Sequence, residues 1–229
     1  MPALELSGQI VPFEVRRSTR ARRARIVVHP WDSVEVVLPT RAAASEAERL
    51  MRNHSAWVLA RIAERPAVPP PLMDGAEVPW RGDRVILRVR RGRGVARLVD
   101  GELTIAASDP DDPAAVQRAL ERAARAEARR LLELEVAETA AELAVRPSAL
   151  AVRDPRTRWG SCTTQGRLSF SWRLVLAPPA VLRYVAVHEV CHLVEPNHQP
   201  PFWALVDQLM PDYREHRLWL RRHGSTLRF

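Results

Sequence analysis

The feature that most constrains this chain is His188-Glu189-Val190-Cys191-His192, a His-Glu-x-x-His motif set inside an apolar run. Histidines four apart on a helix share one face, with Cβ atoms about 5–6 Å apart. Both imidazoles can then reach a single cation at about 2.0–2.1 Å. Glu189 projects beside that face, where it can take a proton from an activated water. His198 follows six residues later, after Glu195-Pro196-Asn197 has given the helix a place to stop. Three neutral imidazoles with a fourth position open describe a catalytic zinc site and not a closed structural one. The pattern predicts a zinc-dependent hydrolase, with one Zn2+ held by His188, His192 and His198 and with Glu189 as general base.

The flanking residues support a helix. Pro178-Pro179 suits a first turn, where proline forfeits only an amide hydrogen that would be orphaned anyway. Val181, Leu182, Val185, Val187, Val190, Leu193 and Val194 follow, with Arg183 and Glu189 almost the only charges. That composition predicts a helix buried nearly all round. Two imidazoles and a carboxylate in such a helix are costly unless something polar satisfies them. An isolated His-Glu-x-x-His can arise by chance, and a lone buried histidine is ordinarily hydrogen-bonded core. Here the apolar helix and the third histidine set the motif apart.

With 46% hydrophobic residues in 229, the chain can bury a sizeable core in one large domain or two small ones. Its net charge is +8, and all 35 basic residues are arginine. A basic surface attracts nucleic acid or acidic substrates, but no nucleic-acid motif accompanies the charge, so that role is the less favoured one. No apolar run approaches the eighteen or so residues that span a bilayer, and the start does not read as a signal peptide. Cys162 and Cys191 are the two cysteines. A cytoplasmic protein with reduced thiols and no membrane association is expected. Cys191 falls off the His188/His192 face and reads as a buried thiol, whereas Cys162 is a weaker candidate ligand.

Along the chain, alternation is loose from Leu4 to Val15 and clearer at Arg25–His29 and Val34–Leu38, both rich in β-branched residues. The arginine cluster from Arg16 to Arg25 reads as a solvated hairpin or edge. Ser45 opens a helix to about Glu64, with His54 on or near its apolar face. Arg65 to Met73, with four prolines, reads as a stiff connector. Strands follow at 85–89, 95–99 and 102–105, divided by glycine and aspartate turns, and predict an antiparallel sheet. Asp109-Pro110-Asp111-Asp112-Pro113 begins a long, charged, alanine-rich helix to about Leu143. No internal repeat is visible.

Arg156 to Leu176 is the second informative stretch. Arg158-Trp159-Gly160-Ser161-Cys162 passes through a polar turn into Arg167–Leu174, whose alternation sets Leu168, Phe170, Trp172 and Leu174 on one face. A free edge on this strand, just before the metal helix, could pair with a peptide backbone and hold a carbonyl over the metal; an ordinary core hairpin is the competing interpretation. Beyond His198, helical spacing recurs at Phe202–Met210 and at about Tyr213–Arg222. Glu215, in the last helix, competes with His198 as third ligand; His198 is favoured because the helix break delivers it locally.

Arg158-Trp159-Gly160-Ser161-Cys162, Trp172-Arg173-Leu174, the His-Glu-x-Cys-His run and Asn197-His198 with Phe202-Trp203 together resemble the YgjP-type, SprT-like zinc-dependent metallohydrolases. The resemblance is strong over the C-terminal third and loose before it. It implies the metal ligands His188, His192 and His198, Glu189 as base, and an α+β fold. In that fold a β-rich N-terminal region, 1–107, with one helix at about 45–64, precedes a zincin-like domain, 108–229. The family's asparagine before Trp-Arg-Leu is here Ser171, a side chain of shorter reach. The spacing to the third histidine also matches metzincins, but Glu195 stands where they carry glycine.

A metallopeptidase acting on peptide or protein is therefore expected, with Arg158, Ser171 and Arg173 as candidate substrate-binding residues. A zinc-dependent nucleotide phosphohydrolase and a non-catalytic, arginine-rich nucleic-acid-binding module are the alternatives.

Overall fold

The computed structural model of the chain describes residues 2–28, 33–64, 71–155 and 158–229. His29, residues 65–70 of the expected connector, and Arg156 and Thr157 lie outside them. The chain is a mixed α+β protein in two compact units, 1–69 and 70–229.

In the first unit, β1 (Ala3–Leu6) and β2 (Gln9–Ser18) form a hairpin through Ser7 and Gly8, at φ 48° and 84°. Two successive positive φ values are what a tight I′ hairpin turn needs. β3 (Arg25–Val28) and β4 (Val34–Pro39) complete a sheet of order β1-β2-β4-β3, in which β2 and β4 run parallel. Leu4, Leu6, Phe13, Val36 and Leu38 meet Ala47, Met51 and Val58 in its core. The expected single helix is two, α1 (Ser45–Asn53) and α2 (Ser55–Ala63), broken at His54 with φ −115° and ψ 21°. Asn53-His54-Ser55 is a run of weak helix formers, and His54 is exposed at the break and not on the apolar face.

The second unit opens with β5 (Glu77–Trp80), β6 (Asp83–Arg91), β7 (Arg97–Val99) and β8 (Glu102–Ala107), in the order β5-β6-β8-β7. The expected antiparallel sheet is mixed: β8 inserts between β6 and β7 and runs parallel to β6. This is the arrangement of the first unit repeated, down to a hairpin turn with two positive φ values, 55° at Arg81 and 91° at Gly82. The structure thus contains a repeat that the sequence hides. The shared requirements are only alternation and a turn that tolerates positive φ, which many residues satisfy.

α3 (Pro113–Glu142) follows, its first turn capped by the Asp112 carboxylate, which accepts from the amides of Ala114 and Ala115 at 2.9 and 3.1 Å. Val116, Leu120, Ala124, Ala128, Leu132, Val136 and Ala140 recur every fourth residue and are all buried. Alanines in that stripe let the long helix lie close to what it packs against: β8, α4 (Pro179–Cys191) and the 3₁₀ segment Trp172–Leu176. A smaller sheet of order β10-β11-β9 comprises β9 (Ala149–Arg153), β10 (Gly160–Cys162) and β11 (Arg167–Ser171). α5 (Pro200–Leu209) and α6 (Tyr213–His223) end the unit. All of these elements and β5, β6 and β8 contribute to one core, and the compact units divide at 69/70. Among the described residues, no helix is long and apolar enough to cross a membrane.

The β5–β6 turn fixes the approach to α4. The Arg81 amide donates to the Val175 carbonyl at 2.8 Å and the Gly82 amide to that of Leu176 at 3.2 Å. A Cβ on Gly82 would lie 2.8 Å from Pro178 Cα, so only glycine permits the contact.

Leu132, fully buried on α3, and Leu134, 58% exposed, give a direct check on this packing. Leu132→Ala should cost about 2–5 kcal/mol in denaturant unfolding, and Leu134→Ala within about 0.5 kcal/mol.

Candidate metal centre

α4 is buried nearly all round, as expected: nine of its thirteen residues are buried, Glu189 among them. The helix ends earlier than Pro196 would require. His192 is its C-cap, at φ −67° and ψ −13°, and the chain tightens into a turn closed by Glu195 N–H to the Cys191 carbonyl at 2.9 Å. This geometry keeps His192 on the face of His188 while releasing the chain to reverse. Gln199-Pro200-Pro201 then starts α5, whose first turn carries Phe202 and Trp203.

The reversal brings His198 back to the other two. Its Nε2 lies 3.0 Å from His188 Nε2 and 3.1 Å from His192 Nε2. Buried Phe202 forms the floor, its ring centroid 4.9, 4.5 and 4.8 Å from those of His188, His192 and His198. Trp203 stacks on His198 at 5.7 Å.

The tautomers suit a cation. His192 Nδ1 lies 3.1 Å from the Glu195 carbonyl. A carbonyl only accepts, so Nδ1 carries a hydrogen and Nε2 is the nitrogen turned to the other two rings. His188 Nδ1 is buried without a hydrogen-bond partner among the described residues. Holding the ring this way costs about 1–3 kcal/mol, which a cation at Nε2 would offset. Burial first, then His192, His198 and Arg217, pushes His188 down to about 3, so it stays neutral and able to ligate. His198 is lowered by burial, His192 and Arg217. Nitrogens at 2.0–2.1 Å around a tetrahedral ion are about 3.3 Å apart, close to the observed spacings. The three histidines therefore fit a metal. Among the described residues, His188, His192 and His198 form the one cluster of metal-ligating type.

Glu189 lines the same cleft as the three rings and packs against β10. A Cβ on Gly160 would lie 2.5 Å from Glu189 Oε1 and 2.8 Å from Cδ, so this strand can pass only as glycine. Burial pushes Glu189 up to about 7, with Arg158 pulling the other way. β10 is the sheet edge, whereas β11 is hydrogen-bonded on both sides. The free edge expected on the strand before the metal helix thus belongs to Gly160–Cys162, because the unforeseen β9 takes the other side of β11. A cleft of about 910 Å³ runs between β10, the 162–166 turn and the three histidines.

Other expected residues are placed differently. Ser171 is fully buried and its Oγ accepts from the Arg173 amide at 3.3 Å, capping the 3₁₀ segment. The strand therefore ends at Ser171 and Trp172 and Leu174 are no longer part of its alternation. Arg173 pairs with Asp154 and lies 4.9 Å over the Trp172 ring. Neither lines the cleft. Arg158 is exposed, its charge felt by Glu189. Cys162 lines the cleft outside the histidine cluster, and burial and Glu189 hold its thiol up. Cys191 is buried, its thiol pushed up to about 12. Glu215 is exposed on α6, outside the cluster.

Residues 22–223 match the YgjP-like, metallopeptidase domain. The chain belongs to the YgjP-like metallopeptidase family. The match of this YgjP-like protein begins after β2 and takes in the rest of the first compact unit and most of the second. No curated protein matches the chain. Among solved structures, the crystal structure of the metallopeptidase zymogen of Pyrococcus abyssi abylysin is similar at 16% identity, over 39% of this chain and 93% of that one, with a TM-score of 0.36.

The sequence reading of this YgjP-like chain missed Gly160, Tyr184 and Arg217 as parts of the site. Tyr184 had a signal, lying four residues before His188 on the same face; the tertiary neighbours of Gly160 and Arg217 had none.

Gly160→Ala should destabilise the protein by about 1–3 kcal/mol through overpacking against Glu189. In a Glu189→Ala background most of that cost should vanish, a coupling that a thermal-unfolding double-mutant cycle would measure.

Proposed function

We propose that this YgjP-like protein is a zinc-dependent metallopeptidase in which His188, His192 and His198 hold one Zn2+ through Nε2 and Glu189 is the general base. The observation that carries the reading is the convergence of three imidazole nitrogens beside a buried carboxylate, at the free edge of a strand. The break after α4 and the return of His198 give the helix a zincin-like character. A bound zinc would supply a Lewis acid that polarises a carbonyl and acidifies water.

The protein's own residues do the rest. β10 offers unpaired backbone groups along the cleft, to which an extended peptide adds as a further strand. Glu189 takes the proton of the attacking water and passes it to the departing amine; a carboxylate raised toward neutrality is suited to both steps. Of the three substrate-binding candidates, Arg158 keeps that role in the proposal, because it bears on Glu189 from the exposed side. Peptide or protein substrates and a cytoplasmic location belong to the same reading, in keeping with two unpaired cysteines.

A second reading, hydrolysis of nucleotide phosphates, draws on Arg217 and Arg221, two arginines at a pocket beside His188 and Glu189. Parallel assays on casein-like peptides and nucleoside triphosphates separate the two.

Protein purified without chelator or histidine tag should carry close to one zinc per chain, and His188→Ala should lose it. Glu189→Gln should keep the zinc and lose roughly 100- to 10,000-fold in turnover. Unimpaired turnover by that variant would take Glu189 out of the mechanism.

A further inference from the structure

A second cavity, of about 310 Å³, adjoins the main cleft and shares Gly160, His188 and Glu189 with it. Its walls come from α4 and α6. Tyr184, Val185 and Leu220 give it an apolar lining, and Arg217 and Arg221 stand in its rim. The two arginines are four apart on α6, so they lie on one helix face.

Arg217 is set up differently from most arginines of this chain. Many of those are matched with carboxylates, such as Arg84 with Glu77, Arg130 with Glu127 and Arg214 with Asp207. Arg217 and Arg221 have no ion-pair partner among the described residues. Arg217 is nevertheless held in place, with its guanidinium 4.8 Å over the Trp203 ring. Trp203 stacks in turn on His198, at 5.7 Å and 27°, and on Tyr213, at 5.3 Å and 16°. The cation is thus carried on an aromatic stack that ends at a metal-site imidazole. Its field reaches His188, His198 and Tyr184, whose proton affinities it lowers. A planar guanidinium stacked on a ring keeps its donor edge free, and that edge matches a carboxylate through two parallel hydrogen bonds.

The geometry points to this cavity as a specificity subsite in which Arg217, seconded by Arg221, grips a carboxylate of the peptide substrate beside the bond being cut. The inference rests on the peptidase reading and adds to it the class of substrate: peptides with an acidic side chain next to the scissile bond, or with their own C-terminal carboxylate there. The apolar wall accommodates the methylene stem, and the arginines at the rim take the charge.

The test uses the zinc-loaded, full-length protein and matched fluorogenic peptides. One set carries Glu or Gln at each residue flanking the scissile bond; another ends in a free acid or an amide. One carboxylate-bearing member should be preferred by about 10- to 100-fold, the range expected for charge-assisted hydrogen bonds. The first set reports a side chain and the second a chain terminus. Arg217→Ala should abolish the preference, with the loss in KM and not in kcat. Arg217→Lys should retain part of it, and Arg217→Glu should turn it toward a lysine-bearing peptide. Arg222→Ala, on the same helix but outside the cavity, should keep the preference and so exclude a general charge effect. In parallel, binding of the same peptides to zinc-loaded Glu189→Gln protein, with and without Arg217→Ala, is read from tryptophan fluorescence. Equal cleavage of both members of every pair overturns the subsite and leaves the peptidase reading intact. If no peptide is cleaved, the peptidase reading falls, and the binding arm decides the subsite: equal affinities overturn it, and a carboxylate preference lost with Arg217 sustains it.

Discussion

The structure depends on aiming three imidazoles at one point, the first of them set inside a helix with little exposed surface. An imidazole in water gains and loses its proton near neutrality; in α4, burial pushes His188 down to about 3. That burial is a tertiary product. It requires Phe202 beneath all three rings, α3 along one side of α4, and the Arg81-Gly82 turn against Pro178 where α4 begins. The same burial raises Glu189, so one packing arrangement moves an imidazole and a carboxylate in opposite directions, each toward its neutral form.

The doubled sheet explains how the chain spends its first half. Two sheets of the same order, each followed by helix, arise from segments whose sequences share little beyond alternation and a two-residue positive-φ turn. In the second copy that turn donates two backbone hydrogen bonds to the segment leading into α4. In the first copy the equivalent Ser7-Gly8 turn is exposed, and a Cβ on Gly8 would meet nothing within 4 Å. One scaffold thus serves in the second unit as a brace for the site.

Much of the local structure was legible because local chemistry decides it. Asp112 caps α3 where the acidic cluster indicates, and the four-residue stripe of that helix is buried. Where non-local pairing decides, local pattern does not carry the answer. Strands 83–91 and 97–99 follow one another as hairpin partners would, yet 102–107 comes between them, parallel to the first and antiparallel to the second. β9 escaped notice, and by occupying one side of β11 it moves the free edge to β10. Ser171 and Arg173 drew attention through their place in a motif, yet they close a 3₁₀ cap and an ion pair with Asp154.

Sequence alone determined which residues can meet a metal: the spacing of His188 and His192 is a property of any helix, and the turn after it leaves His198 few places to go. It also determined that α4 is buried, since its composition permits nothing else. Only the tertiary structure decided what surrounds those residues. Gly160 is glycine because Glu189 passes within 2.5 Å of where its Cβ would be, and Arg217 faces the site because α6 packs against α4. Spacing along a helix is fixed by covalent geometry, whereas the approach of two elements distant in sequence is fixed by packing.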